Sequence, residues 1–240
     1  IYVEIPRFTI GSLLALSFVF FNSKREIERR YYRNPKMKIS VLIPGHNDSK
    51  VLAKTVLSVH EQTMKPSQII IVNDGSTDDT DRICQELVKQ GLITHYVKAR
   101  ARGGKNPALN AGLAMVEHDF VMAADADTTF DRDAFAIAAS YFDDPRVAAV
   151  GGNVRVRNNW ESMITAVQHI NYSISISLGR MLSYMLGFFL VTSGAFGMYR
   201  TKAIRDVGGW DIGPGEDSDL PTRFKLAKWK IRFAPFAVSR

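Results

Sequence analysis

The sequence predicts an α/β fold, with a mostly parallel sheet flanked by helices in a single domain. From residue 38 onward, short apolar runs alternate with helical patterns, which is typical of a parallel α/β sheet. One run, residues 68–72 (QIIIV), is apolar almost throughout, as expected for a strand covered on both faces. Acidic residues follow two of these runs, at the strand ends where open α/β sheets carry their chemistry.

The individual elements follow from the same patterns. Strands are predicted over residues 39–44, 68–72, 93–97, 120–124, 146–150 and 230–233, and a turn with a strand over 193–200. Helices are predicted over 51–62, 106–115 and 218–228, and a further helix capped by Thr77 or Asp78 ends at Gln90. Apolar residues at helical spacing over 160–185 predict core packing or contact with a membrane surface.

Composition excludes several classes of protein. Of the 240 residues, 46% are hydrophobic and 23% are charged, which excludes a disordered chain. Cys84 is the only cysteine, so no disulfide forms within the chain and a reducing compartment is favoured. We expect Cys84 to be a small buried hydrophobic residue on a helix.

The formal charge of +7 is concentrated at one end of the chain. Residues 1–38 hold eight Lys or Arg and three Glu, a net of +5, which leaves +2 for the rest. The basic segment follows the apolar run 8–21, an arrangement that marks the cytoplasmic side of a membrane segment. Residues 1–37 are therefore predicted to be a truncated transmembrane or interfacial helix with a basic juxtamembrane segment. Basic and aromatic residues are not interleaved over the rest of the chain, so no nucleic-acid partner is expected.

The Asp125-Ala126-Asp127 motif after the fourth predicted strand indicates a metal site. Its two carboxylates point the same way, and at about 4 Å they repel by roughly 4 kcal/mol at an effective dielectric near 20. A divalent cation removes that repulsion, and oxygen ligands favour Mg²⁺ or Mn²⁺. Two other acidic positions keep simpler alternatives open, because Asp74 also fits an Asx turn and Asp217 an ordinary helix N-cap.

A basic cluster, residues 100–105 (RARGGK), opens the predicted helix 106–115. Glycines, a lysine and a helix N-terminus together can hold an anion, although a solvated loop is the simpler interpretation. The spacing of a Walker loop is absent. The first strand turn also lacks Gly-x-Gly-x-x-Gly, which argues against a dehydrogenase of the Rossmann type.

Six motifs in order resemble those of glycosyltransferase family 2, in its processive branch of cellulose, chitin, hyaluronan and poly-N-acetylglucosamine synthases. They are VLIPGHND, IIIVNDGSTDDT, GGKNPALNAG, AADADT, VTSGAFGMYR and GEDSDL. The resemblance spans about residues 38–235 and implies a Rossmann-like GT-A domain over residues 38–240. It also implies that this domain is truncated before a Gln-x-x-Arg-Trp motif, and that it lies on the cytoplasmic side of the inner (plasma) membrane, in contact with membrane lipid.

The same resemblance implies a function and a set of roles. The reaction is an inverting, metal-dependent transfer from UDP-N-acetylglucosamine or UDP-glucose to a growing β-linked polysaccharide, with Mg²⁺ or Mn²⁺ as cofactor. Asp74 would bind uracil, Lys105 would contact the nucleotide or its phosphates, and Asp217 would be the general base. The remaining implied positions are Pro44, Asp48 and Asp125 for the donor, Asp125 and Asp127 for the metal, and Ser193, Gly194 and Glu216 for the acceptor. His46-Asn47-Asp48 departs from the commoner Tyr-Asn-Glu.

Two other functions remain open at this point. One is a non-processive family 2 transferase that adds a single sugar to a lipid or protein acceptor. The other, from a different class, is a catalytically inactive membrane-associated module that binds nucleotides.

Overall fold

The computed structural model describes residues 37–155, 194–211 and 216–240, without the side chains of 216–218. Its strands are β1 (Ile39–Gly45), β2 (Gln68–Asn73), β3 (His95–Lys98), β4 (Phe120–Ala124), β5 (Val147–Val154), β6 (Phe196–Arg200) and β7 (Lys230–Ser239). Its helices are α1 (Leu52–His60), α2 (Thr80–Lys89), α3 (Lys105–Leu113), α4 (Ala134–Ala139), α5 (Thr201–Asp206) and α6 (Glu216–Leu226).

The strands form one mixed sheet in the order β3-β2-β1-β4-β6-β5-β7. The half that contains β3, β2, β1 and β4 is parallel. Strand β6 runs antiparallel to both β4 and β5, and β7 pairs parallel with β5. The predicted mostly parallel α/β sheet is confirmed. Because β1, β2 and β4 are parallel, their carboxyl ends lie along the same edge of the sheet.

The core occupies both faces of this sheet. All seven residues of β1 are buried, and alternate side chains enter different apolar clusters, as the two-residue period of a strand requires. Val41 and Ile43 belong to the cluster on one face, whereas Leu42 belongs to the cluster on the other. Each fully buried side chain of this size contributes about 1.5–3 kcal/mol, so the central strands hold the sheet edge in place.

Cys84 has the predicted environment. It lies on α2 and is fully buried within the apolar cluster. Burial, with the nearby charge of Asp81, raises the pKa of the Cys84 thiol to about 12. The thiol is therefore protonated at neutral pH and behaves as a small hydrophobic side chain.

Two short helices were not predicted, and two strands are longer than predicted. Helix α4 has the sequence AFAIAA, which has no polar face and hence no helical period to detect. Helix α5 has only six residues. Strand β7 continues past Pro235 to Ser239, and β5 continues to Val154 through two glycines, although Gly and Pro usually mark strand ends.

The start of α2 is also later than predicted. The Asp78 carboxylate accepts hydrogen bonds from the Thr80 amide at 3.0 Å and from the Thr80 hydroxyl at 2.5 Å. Asp78 therefore precedes the helix and closes the turn before it, and α2 begins at Thr80.

Predictions for two stretches lie outside the described residues. These are the membrane helix and basic segment, apart from residue 37, and the apolar stripe over 160–185. In the described ranges no helix combines the length and the apolar character that crossing a bilayer requires.

Candidate functional site

A cavity of about 310 Å³ opens at the carboxyl ends of β1, β2 and β4. The ends of these strands and the loops after them supply part of the lining, and the loop before α3 supplies the rest together with Lys105, the first residue of α3. The lining residues are Pro44, Gly45, His46, Asp48, Asp74, Arg102, Gly104, Lys105, Asp125, Ala126 and Asp127. The predicted meeting of Asp74 with the Asp-x-Asp motif at one sheet edge is therefore found in the structure.

Asp74 is held by the loop of residues 99–104, which we call the basic loop because it contains Arg100 and Arg102. The Gly103 amide donates to one carboxylate oxygen at 2.7 Å, and the Gly104 amide donates to the other at 2.8 Å. Asp74 is only 5% exposed. The turn at this point is closed by Asn73 instead, whose side-chain oxygen accepts from the Ser76 amide at 2.9 Å. The Asx-turn alternative for Asp74 is wrong.

These contacts occupy the backbone amides that were expected to hold an anion at the N-terminus of α3. The two amides that precede Lys105 already donate to a carboxylate of the protein itself. Positive charge at this side of the cavity comes instead from the side chains of Arg102 and Lys105, which both line it.

The loops after β1 and β2 are joined by Asn47. The side-chain oxygen of Asn47 accepts from the Thr77 backbone amide at 2.8 Å, and the backbone amide of Asn47 donates to the Ser76 hydroxyl at 2.9 Å. Asn47 has a φ of 60°, a conformation that asparagine tolerates better than most residues. These two bonds hold the loop after β1 against the loop after β2.

Positive and negative side chains lie close together in the cavity lining. The Lys105 ammonium lies 2.7 Å from an Asp125 carboxylate oxygen, and both side chains are about one-third exposed. Burial raises the pKa of the Asp48 carboxyl, and repulsion from Asp127 raises it further, although a hydrogen bond from the His46 amide at 2.7 Å opposes both effects. Asp48 is thus close enough to Asp127 for their charges to interact.

This donor set fits a hard divalent cation. Asp127 is close to a second carboxylate, and Mg²⁺ is usually held by one or two carboxylates together with substrate phosphates. Within the described part of the chain, no three His, Cys, Asp or Glu side chains form a ready-made metal cage. In the usual Mg²⁺ arrangement, substrate phosphates and water supply the oxygen ligands that the carboxylates do not.

The Asp-x-Asp loop is fixed from beneath by helix α1. The buried Thr55 hydroxyl donates to the carbonyl of Ala126 at 2.7 Å, and Ala126 itself is 4% exposed. The two aspartates on either side are consequently presented by a backbone that cannot shift without breaking a buried hydrogen bond.

Replacing Thr55 by Val is expected to lower the free energy of unfolding by about 1–3 kcal/mol, because it leaves a buried carbonyl without its donor. Urea denaturation measures this change. The matched control is Thr63→Val, since the Thr63 hydroxyl makes an exposed contact at 3.4 Å with the Arg132 carbonyl and should change stability by less than about 0.5 kcal/mol. Equal effects of the two substitutions would contradict the role given to Thr55.

The predicted site residues fall into two groups. The donor and metal positions line the cavity together: Pro44, Asp48, Asp74, Lys105, Asp125 and Asp127. Of the implied acceptor positions, Gly194 lies in the turn before β6 and is not among the lining residues, and Ser193 is outside the described residues. Glu216 and Asp217 are the first residues of α6, but their side chains are also outside the description.

Besides Gly45, Gly104 and Ala126, two lining residues with ionisable side chains, Arg102 and His46, were not predicted as site residues. Arg102 was visible only as part of a basic cluster, and His46 only as a departure from Tyr in the first motif. The His46 ring nitrogen Nδ1 lies 2.8 Å from the Asp74 carbonyl. His46 therefore links the β1 and β2 loops beside the cavity, a role that depends on contacts between distant parts of the chain.

Comparison with known proteins agrees with this geometry. The family model described as glycosyl transferase family 2 matches residues 40–208, which is more than half of the chain. Poly-beta-1,6-N-acetyl-D-glucosamine synthase of Staphylococcus aureus (strain COL) is 31% identical over 230 residues, covering 92% of this chain and 55% of that protein. The protein of the same name from Staphylococcus epidermidis is 33% identical over 202 residues, covering 83% of this chain and 48% of that protein. The chain thus spans about half the length of the curated relatives it matches.

Solved structures share the fold. The mannosyltransferase PcManGT from Pyrobaculum calidifontis, in complex with GDP-Man and Mn²⁺, has a TM-score of 0.69 and 18% identity, covering 97% of this chain and 67% of its own. S. aureus TarS has a TM-score of 0.61 and 18% identity, covering 83% of this chain and 35% of its own. The extent of the family match, supported by these relatives and by a sheet shared with glycosyltransferases, shows that the chain belongs to glycosyl transferase family 2.

Proposed function

We propose that this chain is the nucleotide-sugar-binding domain of a processive glycosyltransferase that extends a β-linked polysaccharide. The observation that carries the proposal is the cavity itself, in which Asp48, Asp74 and the Asp-x-Asp pair face two basic side chains. Carboxylates that attract a cation, together with an arginine and a lysine, match the charge pattern of a metal-bound diphosphate. The relatives named as poly-N-acetylglucosamine synthases support the same conclusion.

UDP-N-acetylglucosamine is the proposed donor. The relatives at 31% and 33% identity are named for a polymer of N-acetyl-D-glucosamine, which favours this sugar over glucose. In the proposed arrangement Pro44, Asp48 and Asp74 lie on the nucleotide side of the cavity. Lys105 and Asp125, already paired at 2.7 Å, lie toward the diphosphate, with Asp127 as the more direct metal ligand.

The proposed reaction is a single displacement with inversion. The acceptor hydroxyl oxygen forms a bond to the anomeric carbon, the bond from that carbon to the diphosphate oxygen breaks, and UDP leaves with the electron pair. Asp217 takes the hydroxyl proton, and a positioned base of this kind contributes about 10²–10⁴ in rate. A bound Mg²⁺ or Mn²⁺ would stabilise the charge that develops on the diphosphate. Ser193, Gly194 and Glu216 are proposed to contact the acceptor glycan.

The membrane location is also part of the proposal. Residues 1–37 combine an apolar run with a basic segment, which supports anchoring at the plasma (inner) membrane with the catalytic domain in the cytoplasm. In that position the enzyme would contact membrane lipid while drawing its donor from the cytoplasm.

UDP with Mn²⁺ is expected to raise the melting temperature of the protein. A ligand that binds only the folded state at about 100 times its Kd adds about 2.7 kcal/mol of stability. Thermal melts with UDP and Mn²⁺ together, with each alone, and with uridine as a control lacking phosphates check this. An unchanged melting temperature with UDP and Mn²⁺ together would argue against both transferase hypotheses and also against a nucleotide-binding module.

A non-catalytic module and a non-processive transferase predict other results. The module would show the melting shift but would release no UDP from a UDP-sugar. The non-processive enzyme would release UDP while adding one sugar to each acceptor. Product length, measured with the full-length protein, separates the polymerase from both.

A further inference from the structure

We infer that Asp74 is a positioning residue that anchors the basic loop, so that phosphate binding in the cavity depends on Asp74 whatever base the nucleotide carries. This inference rests on the proposed function and deepens it. Direct contact with uracil would make Asp74 matter only for ligands that contain the base. Anchoring the loop makes it matter also for a ligand that has no base at all.

The first observation is that both carboxylate oxygens are already engaged. Gly103 and Gly104 donate to them at 2.7 and 2.8 Å, and bonds from amides to an ionised carboxylate are among the stronger hydrogen bonds in proteins. Gly104 is also the N-cap of α3, and no side chain of its own turn caps it. The Asp74 carboxylate therefore satisfies an amide at the helix start, where negative charge is favoured.

The second observation is that the basic loop contacts the end of β2 at two further points. The Ala99 amide donates to the Asn73 carbonyl at 2.9 Å, which fixes the start of the loop. Gly75 has a φ of +65°, and a Cβ at this position would lie 2.6 Å from the backbone nitrogen of Arg102. The loop backbone thus approaches so closely that only glycine fits beneath it.

The third observation is what the loop carries. Arg102 lies directly before the two glycines that Asp74 holds, and Lys105 lies directly after them as the first residue of α3. Both line the cavity, and Lys105 reaches Asp125. Movement of the Gly103–Gly104 backbone would therefore displace both cationic side chains from the place where a diphosphate would bind.

The decisive variant is Asp74→Asn, tested with inorganic pyrophosphate and with UDP, each with Mn²⁺, by titration calorimetry on the full chain. Asn keeps one acceptor oxygen but presents an NH₂ group to the other glycine amide, so one anchoring bond is lost. We expect pyrophosphate to bind about tenfold more weakly, as the loss of a charge-assisted hydrogen bond predicts, and UDP to lose at least as much affinity. Simple removal of a negative charge near the site predicts the opposite sign for pyrophosphate, namely tighter binding.

Two further variants complete the comparison. Gly75→Ala disturbs the same loop without altering the carboxylate, and it should weaken both ligands as Asp74→Asn does. Asp79→Asn removes a carboxylate that is about 70% exposed and pairs with Arg82 on the surface, so it should leave both affinities unchanged. Unchanged or tighter pyrophosphate binding by Asp74→Asn, with only UDP weakened, would overturn the inference in favour of base recognition alone.

Amide hydrogen exchange on the unmodified protein tests the anchor independently. The Gly103 and Gly104 amides should be protected without any ligand, and rapid exchange of both would overturn the inference even if Asp74→Asn failed to fold. The experiments also distinguish a failure of the proposed function from a failure of the loop-anchoring inference. If the unmodified protein binds neither UDP nor pyrophosphate with Mn²⁺, the proposed function fails, and the exchange experiment alone decides the anchor.

Discussion

Replacing Asp217 by Asn is expected to remove nearly all sugar transfer by the full-length enzyme while leaving its affinity for the UDP-sugar intact. Asn is close in size to Asp but cannot accept a proton at neutral pH, so the loss in kcat should be about 10²–10⁴-fold. Asp217 is the second residue of α6. Initial rates with UDP-N-acetylglucosamine give kcat, and titration calorimetry gives the affinity for the donor.

The control for this substitution is Asp206→Asn. Asp206 pairs with Lys202 at 2.7 Å on the exposed side of α5, and surface pairs of this kind contribute about 0–1 kcal/mol. Its transfer rate should match that of the unmodified enzyme. Normal polymer synthesis by Asp217→Asn would remove Asp217 as the base, whereas loss of donor binding together with rate would place it in the donor site.

Replacing Asp127 by Ala is expected to weaken metal-dependent binding of UDP by more than about tenfold, since even indirect partners of a metal ligand are worth 10–100-fold in metal affinity. Burial is the main cause of the raised pKa of Asp48, and the substitution removes the additional repulsion from Asp127. Binding of UDP in the absence of a divalent ion should change much less. Calorimetry with Mn²⁺ and with a chelator in its place measures both quantities.

Asp131→Asn is the matched control in the same segment. Asp131 lies 3.3 Å from the Arg240 guanidinium in a pair that is about 40–50% exposed. It does not line the cavity. UDP affinity that falls equally in Asp127→Ala and Asp131→Asn, or that is independent of the metal in the unmodified protein, would contradict the role proposed for Asp127.

The sequence predicted those parts of the site whose positions follow from the strand pattern and from the geometry of a parallel sheet. Asp74 and Asp125 each follow an apolar strand, and parallel neighbours bring their ends together. These two positions needed no knowledge of side-chain packing, because the strand order of a parallel sheet carries them to one edge. Asp48, by contrast, was implied only by the resemblance to the family's first motif.

The sequence did not predict contacts between loops that are far apart along the chain. Gly103 and Asp74 are 29 residues apart when they bond, and Asn47 and Thr77 are 30 apart. No periodicity signals such pairings. The same limit explains why the N-terminus of α3, which was expected to hold an external anion, instead binds the carboxylate of Asp74. It also explains why the roles of Arg102 and His46 were missed.

The most direct test of the central claim is to incubate the full-length protein with Mn²⁺ and a panel of UDP-sugars, and to measure UDP release together with the length and anomeric configuration of the product. We predict that UDP-N-acetylglucosamine is consumed and that a long β-linked polymer of N-acetylglucosamine forms. A product with a single added sugar or with an α-linkage would contradict the account. So would a failure to consume any of the UDP-sugars.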